Sequence, residues 1–331
     1  MTPHSPAEGE TPPDRPGRIV TLGETMGLLT ATTVGHLQHV PHMALGIGGA
    51  ESNVAVAAAR LGTPVSWIGR LGADSVGDRV VRELTAEGID VRAARDPGAP
   101  TGLMLKERLP GGTVRVWYHR AHGAGSRLSP ADIDDALVAG ARLLHVSGIT
   151  PALGASAAAA VSHAVDVARS AGVTVSLDVN HRSALWPPER AAPVLRDLVT
   201  RADLVFAGDD EAALVLGRDR ADGPEALAAA LTGLGPGTAV VKLGADGALA
   251  LADGVLHRRA AVPVEVVDPV GAGDAFVGAW LAELAAGAYP ARCLGTAVTA
   301  GALVCTVPGD WEGMPDRAAL AHGTVPGGVR R

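Results

Sequence analysis

Short apolar, β-branched runs alternate along this chain with alanine-rich segments that close on glycine, and no other feature narrows the fold more. Strands are expected at Arg18 to Leu22, Val65 to Arg70, Leu143 to Ser147, Val173 to Asp178, Leu204 to Ala207 and Ala239 to Leu243. Helices are expected at Glu51 to Leu61, Ser75 to Glu87 and Ser156 to Ser170, closed by Gly62, Gly88 and Gly172, and at Pro224 to Leu231. A strand that is apolar along its whole length has both faces covered, and a helix between successive strands supplies the crossover that parallel pairing needs. The pattern predicts an α/β fold with a mainly parallel sheet and helices on both faces.

Two stretches break the alternation. Met26 to Val40 is rich in Thr, Leu and Val without helical periodicity. Thr101 to Arg120 alternates around Pro110-Gly111-Gly112, which reads as a turn between Leu103–Leu109 and Thr113–Tyr118. Together they predict a small antiparallel β-lid at the edge of the body. The expected organisation is a disordered tail over 1–17, one domain over 18–320 with its lid at about 26–40 and 101–120, and a flexible tail over 321–331.

Composition sets outer limits. A chain of 331 residues that is 47% hydrophobic can bury a large core. A net charge of −7 and only five Trp, two Tyr and two Phe argue against a polyanion groove or a base-stacking platform, so no nucleic-acid partner is expected. An anionic small molecule needs only a few local arginines. The start lacks the basic-then-apolar order of a signal peptide. The most apolar late stretch, Cys293 to Val307, carries Thr296, Thr299 and Thr306 and is too short to span a bilayer. No membrane partner is expected, and a cytoplasmic location fits. Cys293 and Cys305 are the only cysteines and read as buried thiols.

The richest segment is Val262 to Gly278, VPVEVVDPVGAGDAFVG. A strand-like run, Val264 to Val267, ends at Asp268-Pro269. Gly271-Ala272-Gly273 follows, and Asp274 opens a helix expected over Ala275 to Ala286. Glycines at a helix start let unpaired N–H groups converge on an anion, and the helix dipole adds partial positive charge. Asp274 is then either a plain helix cap or a general base beside an anion cradle. Other nucleotide motifs fail. The two lysines, Lys106 and Lys242, lie outside any GxxxxGK[ST], and Phe276 stands where GxGxxG needs its third glycine. No HExxH, GxSxG or HRD occurs.

Two further segments stand out. In Ala239 to Leu251, the strand ends in Gly244-Ala245-Asp246-Gly247, which is either an Asp-Gly hairpin turn or a ligand loop; a lysine kept in an arginine-dominated chain is suggestive. Gly48-Gly49-Ala50-Glu51-Ser52-Asn53 precedes an alanine-rich helix. Its glycines permit close backbone approach, Asn53 falls on the first turn, and Glu51 or Ser52 reads as a simple cap.

In this order, GGAESNVAVAAARLG (48–62), IGRLGADSVGD (68–78), VVKLGADGA (240–248) and DPVGAGDAFVGAWL (268–281) resemble the ribokinase-like (PfkB) carbohydrate kinase family, over about Arg18 to Pro315. The resemblance implies a parallel sheet covered on both faces, with a β-lid over the sugar. It implies Asp274 as catalytic base and Gly271, Ala272 and Gly273 as anion hole. Asn180, Lys242, Gly244, Asp246 and Gly247 would contact the nucleotide. The family's Asn-x-x-Glu motif falls on Gly208-Asp209-Asp210-Glu211; Gly replaces Asn, and Glu211 would meet magnesium indirectly, through water or phosphate. ATP and Mg²⁺ are the implied cofactors, with a monovalent cation left open.

Within the family, GETM (23–26), VWYHRA (116–121), LLHVSGITPAL (143–153) and LDVNHRSALW (177–186) resemble 2-keto-3-deoxygluconate kinases. A sugar acid carries a carboxylate, which an arginine fork binds bidentately. The implied substrate contacts are Gly49, Asn53, Tyr118, Arg120, Arg182 and Asp310. Leu28 stands about where ribokinase-type members keep a ribose-holding acid, which disfavours ribose. The expected activity is ATP-dependent phosphorylation of the primary hydroxyl of a sugar acid. A fructokinase-like or other neutral-sugar kinase is the alternative. A non-catalytic sugar-acid sensor is the reading from another class, and the intact GAGD speaks against it. A homodimer through the lid is left open.

Overall fold

The computed structural model describes residues 17–322, and in it the expected alternation becomes a nine-stranded sheet carrying a second, four-stranded one. The strands are β1 (Ile19–Leu22), β2 (Met26–Ala31), β3 (Met43–Gly48), β4 (Val65–Gly72), β5 (Asp90–Asp96), β6 (Leu103–Arg108), β7 (Val114–His119), β8 (Leu143–Ser147), β9 (Thr174–Asp178), β10 (Leu204–Gly208), β11 (Thr238–Lys242), β12 (Ala248–Ala252) and β13 (Val255–Arg259). The large sheet runs β13-β12-β11-β10-β9-β8-β1-β4-β5. Pairing is parallel from β11 through β5 and antiparallel only where β12 and β13 extend it.

Successive residues on each strand feed opposite cores. Val20, Leu144, Val175, Val205 and Val241 pack on one face with helices α3 (Ala155–Ser170), α4 (Pro188–Thr200), α5 (Asp209–Leu216) and α6 (Pro224–Thr232). Ile19, Leu143, Phe206 and Val240 pack on the other with α1 (Ala50–Arg60), α2 (Ser75–Ala86), α7 (Ala272–Ala285) and α8 (Pro290–Val304). Phe206 meets Phe276 and Trp280 of α7 edge-on, with ring centroids 6.3 and 5.8 Å apart. That aromatic cluster fixes α7 over β10, and hence fixes what the helix carries at its start.

The lid sheet has the order β3-β2-β6-β7. Its β2–β3 and β6–β7 pairs are antiparallel, as expected, and its central β2–β6 pair is parallel. The turn at Pro110–Gly112 forms, with Gly111 at φ 77°.

Four expectations change. Val264 to Val267 is not a strand: no neighbour pairs with it, and the amides of Val267 and Asp268 bond the Cys305 carbonyl instead, at 2.8 and 3.1 Å. Strands β5 and β13 escaped the alternation rule because these edge strands carry polar residues such as Arg92 and Arg258, and β3, the edge of the lid, lies beyond the lid stretch expected at 26–40. Helix α7 begins at Ala272 rather than Ala275, so Asp274 sits inside its first turn. The helix Arg317–His322 also runs two residues past the expected boundary at 320. The rest of the two expected tails, 1–16 and 323–331, lies outside the described residues. Cys293 and Cys305 are buried and free. Among the described residues, no helix is long and apolar enough to cross a membrane.

Candidate active site

The parallel strands end on one rim, and that is where an open α/β sheet leaves its crevice. Asp178 closes β9, Lys242 closes β11, and Glu24 follows β1. Helix α7 points its N-terminus at the same rim. Gly271 precedes it at φ 81°, a left-handed conformation that favours glycine. A Cβ there would also come within 1.8 Å of the Asp310 carbonyl oxygen. The Ala272 amide makes only a long, 3.4 Å bond to the Pro269 carbonyl. Gly273 is exposed, so the first-turn amides face solvent, where an anion can reach them.

Asp274 is recessed behind that turn. It is 8% exposed, and its Oδ2 accepts a 2.8 Å hydrogen bond from Asn53 Nδ2 on α1. Burial pushes its carboxyl up to about 7, against the pull of Asn53, Arg182 and Lys242. It is not a plain helix cap, because its side chain is spent on Asn53 and not on the helix's own amides. Asn53 Oδ1 is buried without a hydrogen-bond partner.

A second charged group lies beside it. Lys242 Nζ donates to both carboxylate oxygens of Asp178, at 2.7 and 2.9 Å. A Cβ on Gly273 would lie 3.9 Å from that ammonium. Burial opposes the Lys242 charge, but Asp178, Glu211 and Asp274 outweigh it and leave its pKa raised. Glu211 accepts from the His181 amide at 2.8 Å and from the Gly208 amide at 2.7 Å. Burial raises its pKa. It therefore caps α5 and orders the loop after β9, where Asn180 sits buried at φ 38°. Gly244 and Asp246 form the exposed turn between β11 and β12. Gly247, at φ 93°, packs so tightly that a Cβ would meet the Arg259 carbonyl at 2.0 Å. The hairpin reading of that turn is thus correct, and it does not exclude contact with a ligand.

On the lid side, Arg120 forms an ion pair with Glu24 and stacks near the Tyr118 ring at 5.7 Å. Tyr118 is half-exposed. Glu24 is 3% exposed, and burial raises its pKa while Arg120 lowers it. Arg120 is therefore already partnered, whereas Arg182 is exposed and acts on Asp274 electrostatically. Gly49 is required by packing, since a Cβ would approach the Glu24 carbonyl to 2.2 Å. Glu51 is not a cap. It is fully buried, and its Oε1 accepts from Ser147 and Thr150 hydroxyls at 2.6 Å each. Asp310 is buried and accepts from Lys106 Nζ at 3.0 Å. Sequence reasoning missed Asp178, Glu24, Lys106 and Asp268. The rarity of lysine was a usable signal for Lys106.

Comparison with known proteins agrees with this fold. Residues 17–317 match the family described as pfkB family carbohydrate kinase. A 2-dehydro-3-deoxygluconokinase of Thermoproteus tenax is 38% identical over 316 residues, covering 93% of this chain and 94% of that one. A 2-dehydro-3-deoxygalactonokinase of Haloferax volcanii is 36% identical over 295 residues, covering 88% and 92%. The crystal structure of a ribokinase II from E. coli, in complex with ATP and Mg²⁺, superposes with a TM-score of 0.85 at 26% identity, covering 92% of this chain and 98% of that one. The ribokinase-like fold is thus shared, and the chain belongs to the pfkB family of carbohydrate kinases, ATP-dependent phosphotransferases that act on sugars.

Proposed function

We propose that this kinase transfers the terminal phosphoryl group of ATP to the primary hydroxyl of a 2-keto-3-deoxy sugar acid, 2-keto-3-deoxygluconate in the first instance. One observation carries the reading: a recessed Asp274 carboxyl, with a pKa of about 7, stands behind the open first turn of α7. Relatives named for the gluconate- and galactonate-derived acids support the substrate class.

Asp274 takes the proton of the substrate hydroxyl, whose oxygen attacks the γ-phosphorus as the bond to ADP breaks. The amides of Gly271, Ala272 and Gly273 stabilise charge on the transferring group. Asn53 orients the base. Arg182, exposed at this rim, meets the substrate carboxylate, because Arg120 is engaged by Glu24. Arg120, through Glu24, holds the lid edge against the body, Tyr118 beside it faces the substrate, and the lid excludes water. Asn180, Lys242 and the 244–247 turn flank the nucleotide. Among the described residues, no group of three or more His, Cys, Asp or Glu side chains gathers to hold a metal. Mg²⁺ would be carried by ATP phosphates and water, with Glu211 and Asp178, the carboxylates around Lys242, nearby. When bound, the ion neutralises phosphate charge.

The test is a substrate panel with ATP, read by ADP release: 2-keto-3-deoxygluconate, its galactonate-derived epimer and fructose. The acids are expected to win. Preferential turnover of fructose would establish the neutral-sugar alternative, and ligand binding without ADP release would establish the sensor.

The lid also carries an unpaired apolar row. Leu45, Leu29, Leu105 and Trp117 stand in register across its four strands, with Leu45 and Trp117 exposed. We infer that a second copy covers it. Light scattering should give a dimer that Trp117→Glu weakens, and a monomeric parent would refute this.

A further inference from the structure

The chain carries 28 basic residues, of which only Lys106 and Lys242 are lysine. Both are withdrawn from solvent at the active-site rim. Lys242 is accounted for above; Lys106 is not. It stands on lid strand β6, is 1% exposed, and places its ammonium 2.6 Å from Asp268 Oδ2 and 3.0 Å from Asp310 Oδ1. An ammonium is a compact point charge, whereas a guanidinium is a wide planar fork, so the gap between these carboxylates suits the rarer residue.

Both partners brace the loop that opens α7. Asp268 Oδ1 accepts from the Val270 amide at 3.2 Å, and its Oδ2 accepts from the Gly309 amide at 3.2 Å. The Asp310 carbonyl backs Gly271 so closely that no Cβ fits between them. Without a cation here, two buried carboxylates would face each other uncompensated and push Gly271 out of place.

We propose that Lys106 is a positioning residue for phosphoryl transfer, a built-in monovalent cation that ties the lid to the Asp268 and Asp310 loops holding the anion hole, so that this kinase needs no dissolved one. The proposal rests on the kinase reading and holds for whichever sugar the panel identifies. A wrong sugar therefore leaves the test intact.

The test measures kcat and KM for ATP in choline chloride, then with K⁺, Na⁺ or methylammonium added at constant ionic strength. The parent enzyme should be fully active in choline and unresponsive to the added cations. Lys106→Met should lower kcat by roughly tenfold or more, the usual cost of losing a group that orients a catalytic element, with KM for ATP little changed. Methylammonium or K⁺ should restore part of that loss. A parent strongly stimulated by K⁺ would overturn the proposal, as would a folded Lys106→Met enzyme with parental kcat. If that variant does not fold, the cation response of the parent decides alone.

Discussion

Replacing Asp274 by Asn separates the base's chemistry from the cost of keeping it buried. The carboxyl is held at about 7, against 3.8 for an ordinary aspartate. Because the folded pKa lies above the unfolded one, stability from this group is complete below pH 3.8, drains away as pH rises toward 7, and is constant above. A shift of about three units at roughly 1.36 kcal/mol each makes the loss about 4 kcal/mol at pH 8. Asparagine is neutral at every pH and can accept the Asn53 hydrogen bond through its own Oδ1, so it removes that loss. With an unfolding entropy of about 2.1 cal/mol/K per residue, a chain of 331 residues gains roughly 1.4 °C per kcal/mol. The variant should melt about 6 °C above the parent at pH 8 and almost level with it at pH 4. Its kcat should fall roughly 10²–10⁴-fold. Calorimetry across that pH range and an ADP-release assay read both effects. A melting difference that does not vary with pH would refute the burial argument, and near-normal turnover would refute the base.

The rate should carry the same signature: kcat/KM rises as pH passes through about 7, where Asp274 ionises, and a flat profile across that region contradicts the assignment. Gly271→Ala should lower both stability and kcat, since an alanine at φ 81° costs about 1–2 kcal/mol before its Cβ meets the Asp310 carbonyl; an unchanged kcat would show that the loop does not set the anion hole. Arg120→Ala should destabilise the fold by about 3–5 kcal/mol, because it leaves Glu24 buried and unpaired. Adding Glu24→Gln should recover most of that in denaturant titrations; a double variant no better than the single one argues against the pair.

Fold class was legible in the residues because it follows from local periodicity. An apolar run with β-branched residues, a glycine-closed helix and their alternation admit few arrangements, and the parallel body and hairpin turn follow from them. The glycine-flanked Asp274 was legible for a similar reason: a helix start and a carboxylate within one turn are adjacent in the chain. What the sequence alone did not show is everything that depends on distant residues meeting. Asn53 and Asp274 are 221 positions apart, and Lys106 and Asp310 are 204 apart. Burial, not sequence, turned Glu51 from an expected helix cap into an acceptor of two hydroxyl hydrogen bonds, and moved Asp274 to neutral pH. Arg120, expected to await a substrate carboxylate, is engaged by Glu24 because the lid folds back onto the body. Local pattern determined most of the alternating elements and marked the glycine-opened helix start; only tertiary packing decided which charges are desolvated, and it is desolvation that sets their chemistry.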